Sequence, residues 1–367
     1  MTDVAILGGG MTGLSAAYFL RHQLSYLVLE ASSQAGGVIQ TTQTGPFLLE
    51  HGPDCFMNQQ PWGLELALEL GLQDQLIESK DYQRGVYVLR HGQLELSTHE
   101  DKAVNEFLGH RARSGVNSNT FLSFKNGMQT WPRALAAQLG DRLLLNQRVC
   151  HVDWEQKIIT CDSGLQIQAR AILLTLPADA SARLLNTSWP QLKTTQTACV
   201  YLAYPESALE NRLDAFGLII PASENRKISA LTFVSSKFDH RCPEGFILLR
   251  AFLKGDFSDA RKEVEQLFRP KSAPILEHGL RLTYADPKYA PDHFEQVTQL
   301  EQSLPAGVLI AGSPYRGVGI SDCVHQARQA TEKLLKFSRL NGIRPHGNIS
   351  TLLDHVKVSA QPSDRQG

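Results

Sequence analysis

Apolar residues fall in short, punctuated blocks at the start of the chain. Val4 to Leu7 is an unbroken apolar run closed by glycine, which predicts a strand buried on both faces of a parallel sheet. Gly8-Gly9-Gly10-Met11-Thr12-Gly13 follows, and Leu14, Ala17, Tyr18 and Phe19 then recur on one side of a predicted helix. Tyr26 to Leu29 predicts a second strand that ends at Glu30. Together these segments form one β-α-β unit of about thirty residues.

The pattern changes further along. Helices are predicted over Pro61 to Leu72, Asp101 to Arg113, and from Trp131-Pro132 to Gly140. The leucines Leu64, Leu66, Leu68 and Leu70 of the first are read as core packing. Arg148 to Thr160 and Leu165 to Leu174 are β-rich runs joined by the turn Asp162-Ser163-Gly164, a hairpin signal. From Thr197 to Gly255 apolar strands alternate with Pro/Gly turns, which predicts an antiparallel sheet; Ser235-Ser236 reads as part of a strand. Val308 to Ala311 predicts a last buried strand. Val324, Ala327, Leu334 and Leu335 then fall at helical spacing, which fits a helix from Ser321 to Phe337.

Composition narrows the function classes. With 42% hydrophobic and 20% charged residues, the chain can bury a sizeable core. Lys plus Arg number 36 against 37 Asp plus Glu, a balance with no electrostatic footprint for nucleic acid. Six scattered cysteines contain no Cys-x-x-Cys pair, so free thiols in a reducing compartment are expected. No apolar run reaches membrane-spanning length, and Met1-Thr2-Asp3 leads into a strand without a basic leader. The helix at Pro61 carries Glu65 and Glu69, an acidic face that anionic lipid headgroups repel. A cytoplasmic protein without membrane contact is expected. The twelve histidines form no metal-ligand pair and are read as surface or structural groups.

The glycine turn carries the chemistry. Gly8-x-Gly10-x-x-Gly13 lies between a strand and a helix, and Glu30 stands 22 residues after Gly8. The first glycine permits the turn, the second lets a pyrophosphate approach, and the third packs helix on strand. The helix N-terminus then faces the phosphates, and Glu30 can accept both ribose hydroxyls. Glu30-Ala31-Ser32 runs on to Gly36-Gly37, a second close backbone approach that suits FAD, which is longer than a nicotinamide dinucleotide. A second Gly-x-Gly-x-x-Gly is absent from the sequence, so electrons are expected from the organic substrate.

The string Gly8 to Gly13, Glu30-Ala31-Ser32, Gly36-Gly37-Val38-Ile39 and Gly52-Pro53-Asp54 resembles the flavin amine-oxidase-like enzymes. Within them the sequence is similar to the protoporphyrinogen/coproporphyrinogen oxidases of haem biosynthesis. Phe124 to Gln129, Pro177 to Ala180, Ser235 to Phe238, Pro243-Glu244-Gly245, Leu248 to Phe252 and Tyr315 to Cys323 extend the likeness, in order, to about residue 338. The resemblance implies an α/β fold: a discontinuous FAD-binding Rossmann-like domain (1–56, 121–190, 300–338), a substrate domain on an antiparallel sheet (57–120, 191–299), and a tail (339–367).

The resemblance also implies FAD contacts. Gly8, Gly9, Gly10, Met11, Thr12 and Gly13 would hold the pyrophosphate, and Glu30 and Ala31 the adenosine ribose. Gly36, Gly37 and Val38 would meet the far side of the cofactor. Gly52, Pro53, Asp54 and Cys55 would lie near the flavin, and Val149 beside the adenine. Val318, Gly319 and Ile320, at a helix N-terminus, would face the flavin's pyrimidine edge, where reduced flavin carries negative charge. The implied activity is three rounds of hydride transfer from a porphyrinogen, with electrons passed to O2. A flavin oxidase or desaturase for another amine or polycyclic substrate, and a flavin-binding pseudoenzyme, are the alternatives. No general acid or base stands out.

The sequence also departs from the family pattern. Only 64 residues separate Phe56 from Phe121, where relatives carry a longer helical region. Gln34 and Leu282 stand where an Arg and a Trp are expected. Arg90, Arg226 and Arg250 could pair bidentately with propionate carboxylates but are read as solvated or structural, His293 as structural, and Cys323 as a buried thiol.

Overall fold

In a computed structural model, residues 1–80, 85–97, 101–104, 121–187, 197–210, 213–254, 256–282 and 289–342 are described. The apolar run at the start occupies the middle of a parallel sheet. Thr2–Leu7 pairs with Tyr26–Leu29 on one side and with Gln166–Leu174 on the other. Leu143–Leu144 extends the first side and Val308–Ile310 the second, again in parallel. All six residues of the central strand are buried, because both faces of the sheet are covered.

One face carries three helices. Met11–Leu20, Thr130–Leu139 and Ile320–Leu340 pack their apolar sides onto Val4, Ile6, Val28 and Leu173. Ala16, Ala17, Ala327 and Ala330 are buried in the same cluster, and such small side chains let helices approach closely. Leu14, Val324 and Leu334 are fully buried, each contributing roughly 1.5–3 kcal/mol of apolar burial. The last helix runs three residues past the expected Phe337, to Leu340.

The other face is covered by a meander. Val149–Asp153, Ile158–Cys161 and Gln166–Leu174 are successive antiparallel neighbours. The turn at Asp162-Ser163-Gly164 forms as expected, with Gly164 at φ 85°. The run Arg148 to Thr160, expected to be one β segment, is two strands. The chain reverses between them, and Lys157 takes a left-handed φ of 52°. The two strands then bury Val152 and Ile159 against the sheet.

The second large sheet runs in the order Leu276–Leu282, Thr197–Pro205, Phe246–Leu253, Ile228–Phe233, Gly217–Ile219, Val86–Arg90, Gln93–Ser97. It is antiparallel except where Gly217–Ile219 meets Val86–Arg90. Alternation along its strands assigns the two faces. Val200, Leu202 and Tyr204 pack with Val264 and Phe268 of the helix Phe257–Phe268. Cys199, Tyr201 and Ala203 face the hairpin Thr41–Thr44/Phe47–Glu50 through Phe47 and Leu49.

Two expectations are corrected here. Ser235 and Ser236 lie in a one-turn helix, Val234–Lys237, and not in a strand. The Ser236 hydroxyl donates to the Leu213 carbonyl, while Ser235 Oγ accepts from the Leu248 amide. The four leucines from Leu64 to Leu70, the last of them the C-cap of the helix Pro61–Glu69, are not all core. A spacing of two cannot place four residues on one helical face, so Leu66 is fully buried while Leu68 is 48% exposed. The helix expected at Asp101 to Arg113 lies mostly outside the described residues.

Candidate dinucleotide and flavin site

The central parallel strands end together. Leu7, Leu29, Leu174 and Ile310 lie at the carboxyl edge, and the strand order reverses around Thr2–Leu7, whose successor pairs on one side and Gln166–Leu174 on the other. Open α/β sheets bind ligands at such a crevice.

The glycine turn opens onto it. Gly8 takes φ 109°, and a side chain there would meet the Thr175 carbonyl at 2.9 Å. A Cβ on Gly13 would come within 2.0 Å of Gly8 O, so this glycine permits the helix to sit on the strand. Gly10 differs: a Cβ there meets nothing within 4 Å. Gly10 is the helix N-cap, and the Leu14 amide is the first to bond back to it. The amides of Met11, Thr12 and Gly13 therefore have no partner in the helix, and its first turn contains no acidic residue. Free amides, a favourable dipole and open space at Gly10 fit a pyrophosphate.

Glu30 stands beside this turn. Its Oε2 accepts from the Gly9 amide at 2.7 Å and its Oε1 from the Ser32 amide at 2.8 Å. Each oxygen keeps lone-pair capacity for a diol. The chain from Leu144 to Val149 flanks it: Glu30 N–H donates to Leu144 O, and Asn146 and Gln147 donate to Ser32 O and Glu30 O. Half-buried Val149 begins the meander there, and half-buried Ala31 lies between the two anchored residues.

The second glycine pair closes on the first. Gly36 N–H donates to Gly9 O at 2.8 Å, Gly10 bridges Gly36, and a Cβ on Gly37 would meet Gly10 Cα at 3.3 Å. Val38 stays 46% exposed. Next to it, a Cβ on Gly52 would strike Val38 O at 2.1 Å, so Gly52 to Cys55 continues the same wall. Gln34, in the Arg position, accepts from Gln129 Nε2. Leu282 pairs with Thr197 at the end of its strand.

The last helix completes the arrangement. Ile320 opens it, Gly319 is its N-cap, and Val318 precedes them. The Ser321 hydroxyl donates to Met57 O, tying this terminus to the chain after Cys55. Gly319 N–H donates to Asp322 Oδ2 at 3.2 Å, so one carboxylate already occupies part of the terminus. Burial raises that carboxyl's pKa. Cys323 is buried and its thiol is pushed up to about 11 by burial, as a structural thiol would be. His293 is structural too: its buried ring bonds the Tyr315 carbonyl at 2.8 Å.

Two groups escaped the sequence reading. Gly312 follows the strand Val308–Ile310, takes φ 123°, and would place a Cβ 3.3 Å from Thr12 Oγ1. The Thr175 hydroxyl donates to Leu7 O and Gly8 O and buttresses the turn. The available signal was a polar or glycine residue within two positions of the end of a buried parallel strand, close to the signal that marked Gly8.

Across the wall from Val38 is a buried polar seam. Lys237 Nζ lies 3.0 Å from Asp54 Oδ2 and 3.3 Å from Cys55 Sγ. The Cys55 thiol is pushed up to about 12 by burial and by Asp54, so it stays protonated. Arg90 pairs with Glu95 and Asp101, and Arg226 with Glu263, as structural arginines. Arg250, in contrast, is buried in the seam and donates to Gly52 O at 2.9 Å. Among the described residues no group of His, Cys, Asp and Glu is placed to hold a metal ion. None of their helices is long and apolar enough to cross a membrane.

Comparison with known proteins agrees with this geometry. Residues 6–69 match the NAD(P)-binding Rossmann-like domain, and residues 100–335 match the flavin containing amine oxidoreductase model. The chain is 22% identical to coproporphyrinogen III oxidase of Bacillus subtilis (strain 168) over 460 aligned positions, covering 91% of this chain and 98% of the relative. That alignment is longer than the 367-residue chain, so the relative carries segments this chain lacks. Among solved structures, a candidate protoporphyrinogen oxidase from Exiguobacterium sp. 255-15 superposes with a TM-score of 0.78 at 20% identity, covering 92% of this chain and 99% of that one. Wild-type putrescine oxidase bound to putrescine gives a TM-score of 0.68 at 15% identity, covering 91% and 99%. With a Rossmann-like sheet, a glycine-lined cleft and a family match over most of its length, the chain belongs to the flavin containing amine oxidoreductases.

Proposed function

We propose that this oxidoreductase binds FAD non-covalently in the glycine-lined cleft and oxidises a porphyrinogen to the porphyrin in haem biosynthesis. The observation that carries the reading is the likeness to coproporphyrinogen III oxidases along nearly the whole chain, joined to a cleft whose amides and glycines fit a dinucleotide. The pyrophosphate would lie on Gly9 to Gly13, the ribose on Glu30, and the flavin between Gly36–Val38, Gly52–Cys55 and Val318–Ile320. Bound there, FAD supplies a hydride acceptor at N5 and a route for electrons to O2. The protein's own part is to orient the substrate and to exclude water. Its FAD-binding part comprises 1–56, 121–190 and 300–338, and its substrate part 57–120 and 191–299. The segments that the relatives carry in excess would fall between Phe56 and Phe121. Six free cysteines support a reducing, cytoplasmic setting.

The test is an anaerobic assay of the FAD-loaded protein with coproporphyrinogen III and protoporphyrinogen IX. Bleaching of the flavin band, then porphyrin fluorescence on admitting air, is expected. Bleaching by putrescine or another amine alone would favour an amine oxidase instead. A bound flavin that no substrate bleaches would mark a pseudoenzyme.

A further inference from the structure

The antiparallel sheet turns an unusual row toward the cleft. His278, Tyr201 and Arg250 are directly opposite one another on three adjacent strands, and cross-strand partners share a face. Tyr201 identifies which face: its hydroxyl bonds the backbone of Glu50, on the cofactor side of the seam. His51 follows Glu50, on the side of the hairpin where Phe47 and Leu49 meet the sheet. The proximity of the three basic groups registers in His51, whose pKa is lowered by burial and by the charges of His278 and Arg250.

Arg250 is 97% buried, and a buried charge is costly unless it is paired. Its Nη1 donates to Gly52 O and its Nε to Cys199 Sγ, but Nη2 has no partner and no carboxylate pairs with it among the described residues. Asp54, whose field also reaches Arg250, is held by Lys237. His51 and His278 carry no negative charge that could compensate it. Tyr201 and Phe252 flank the guanidinium with aromatic faces at 5.5 and 4.8 Å. A buried guanidinium with one free arm, two imidazoles nearby and aromatic walls calls for a carboxylate attached to a large flat body.

We infer that Arg250, flanked by His51 and His278, binds a carboxylate of the substrate at the seam beside Gly52. The inference rests on the porphyrinogen reading and deepens it: the macrocycle would be seated by one of its acidic side arms.

The test compares a free acid with its ester on FAD-loaded protein. Coproporphyrin III and its tetramethyl ester are titrated by fluorescence quenching, which needs no turnover, and the two matching porphyrinogens are assayed for KM and kcat. Wild-type protein is expected to prefer the acid about ten- to hundredfold, as a charged hydrogen bond warrants. Arg250→Gln and His278→Gln should erase most of that preference while leaving ester binding unchanged, and Arg250→Lys should keep part of it. Equal losses for acid and ester would assign Arg250 to supporting Gly52 and overturn the subsite. If Arg250→Gln fails to fold, His278→Gln decides by the same comparison. Wild-type oxidation with equal handling of acid and ester overturns the subsite alone. No oxidation of either porphyrinogen overturns the functional reading and the subsite with it.

Discussion

Lys237 and Asp54 form an ion pair of 3.0 Å across the seam between the antiparallel sheet and the wall of the glycine-lined cleft. Both side chains are largely buried, so neither can lose its partner to water without cost. Burial pushes the Asp54 carboxyl up, but the charges of Lys237 and Arg250 and two hydrogen bonds outweigh it and hold the pKa at about 2. Because the folded pKa lies below the unfolded one, this pair stabilises the fold above pH 4 and is lost as the pH falls toward 2. Asp54→Asn leaves a buried ammonium and should cost about 3–5 kcal/mol in urea unfolding at pH 7. Asp54→Asn that unfolds like the wild type would show the pair to be solvent-screened.

Glu50 has the opposite sign. Burial outweighs the attraction of Arg241 and the hydrogen bonds from Thr41 and Met128, and its pKa rises to about 7. A raised carboxyl pKa means that the folded state holds the proton longer, so stability falls as pH rises from about 4.5 to 7. The decline from this residue should be on the order of 3 kcal/mol. Glu50→Gln, which mimics the protonated form, should flatten the stability profile over that range. A profile that keeps its slope in Glu50→Gln places the titration elsewhere.

These two groups also show where sequence reading stopped. Val4 to Leu7, the glycine turn and Glu30 were legible because strand, turn and helix lie within thirty residues, and local spacing encodes their geometry. Gly36-Gly37 was legible as a second close backbone approach, but its closure on Gly10, and that of Gly52 on Val38, join separate loops and left no local signal. Lys237 and Asp54 are separated by 182 intervening residues, and nothing local ties a serine-rich helix to a Gly-Pro-Asp loop. Arg250 reads as one arginine among many until its burial and the absence of a carboxylate partner among the described residues single it out. Leu68 was misread because a short apolar run does not report which residues face outward, and the reversal before Ile158 because Lys157, a non-glycine residue in the left-handed region, gives no turn signal.

Glu30 offers a direct measure of ribose recognition. Its two oxygens already hold the Gly9 and Ser32 amides, so it is oriented before any ligand arrives. On the proposed reading Glu30→Ala would remove two charged hydrogen bonds to the diol, and FAD should bind about ten- to hundredfold more weakly by isothermal titration. An unchanged Kd would move the ribose away from this carboxylate. Glu30→Gln should fall between the two, since the amide keeps one acceptor.

Gly10 and Gly13 separate cofactor binding from folding. At Gly10 the backbone φ is −75°, which any residue adopts, and an added methyl meets nothing within 4 Å. Gly10→Ala should therefore leave the melting temperature of the flavin-free protein unchanged, while the methyl would stand where the proposed pyrophosphate approaches the helix amides. Gly10→Val should abolish FAD binding altogether. At Gly13 the same methyl would come within 2.0 Å of the Gly8 carbonyl, a backbone atom that cannot swing aside. Gly13→Ala must push the helix off the strand or distort the turn, and overpacking of this kind costs about 1–3 kcal/mol or more. Its flavin-free form should melt lower by several degrees. If both variants lost stability equally, the space at Gly10 would be filled by the protein and not reserved for a ligand.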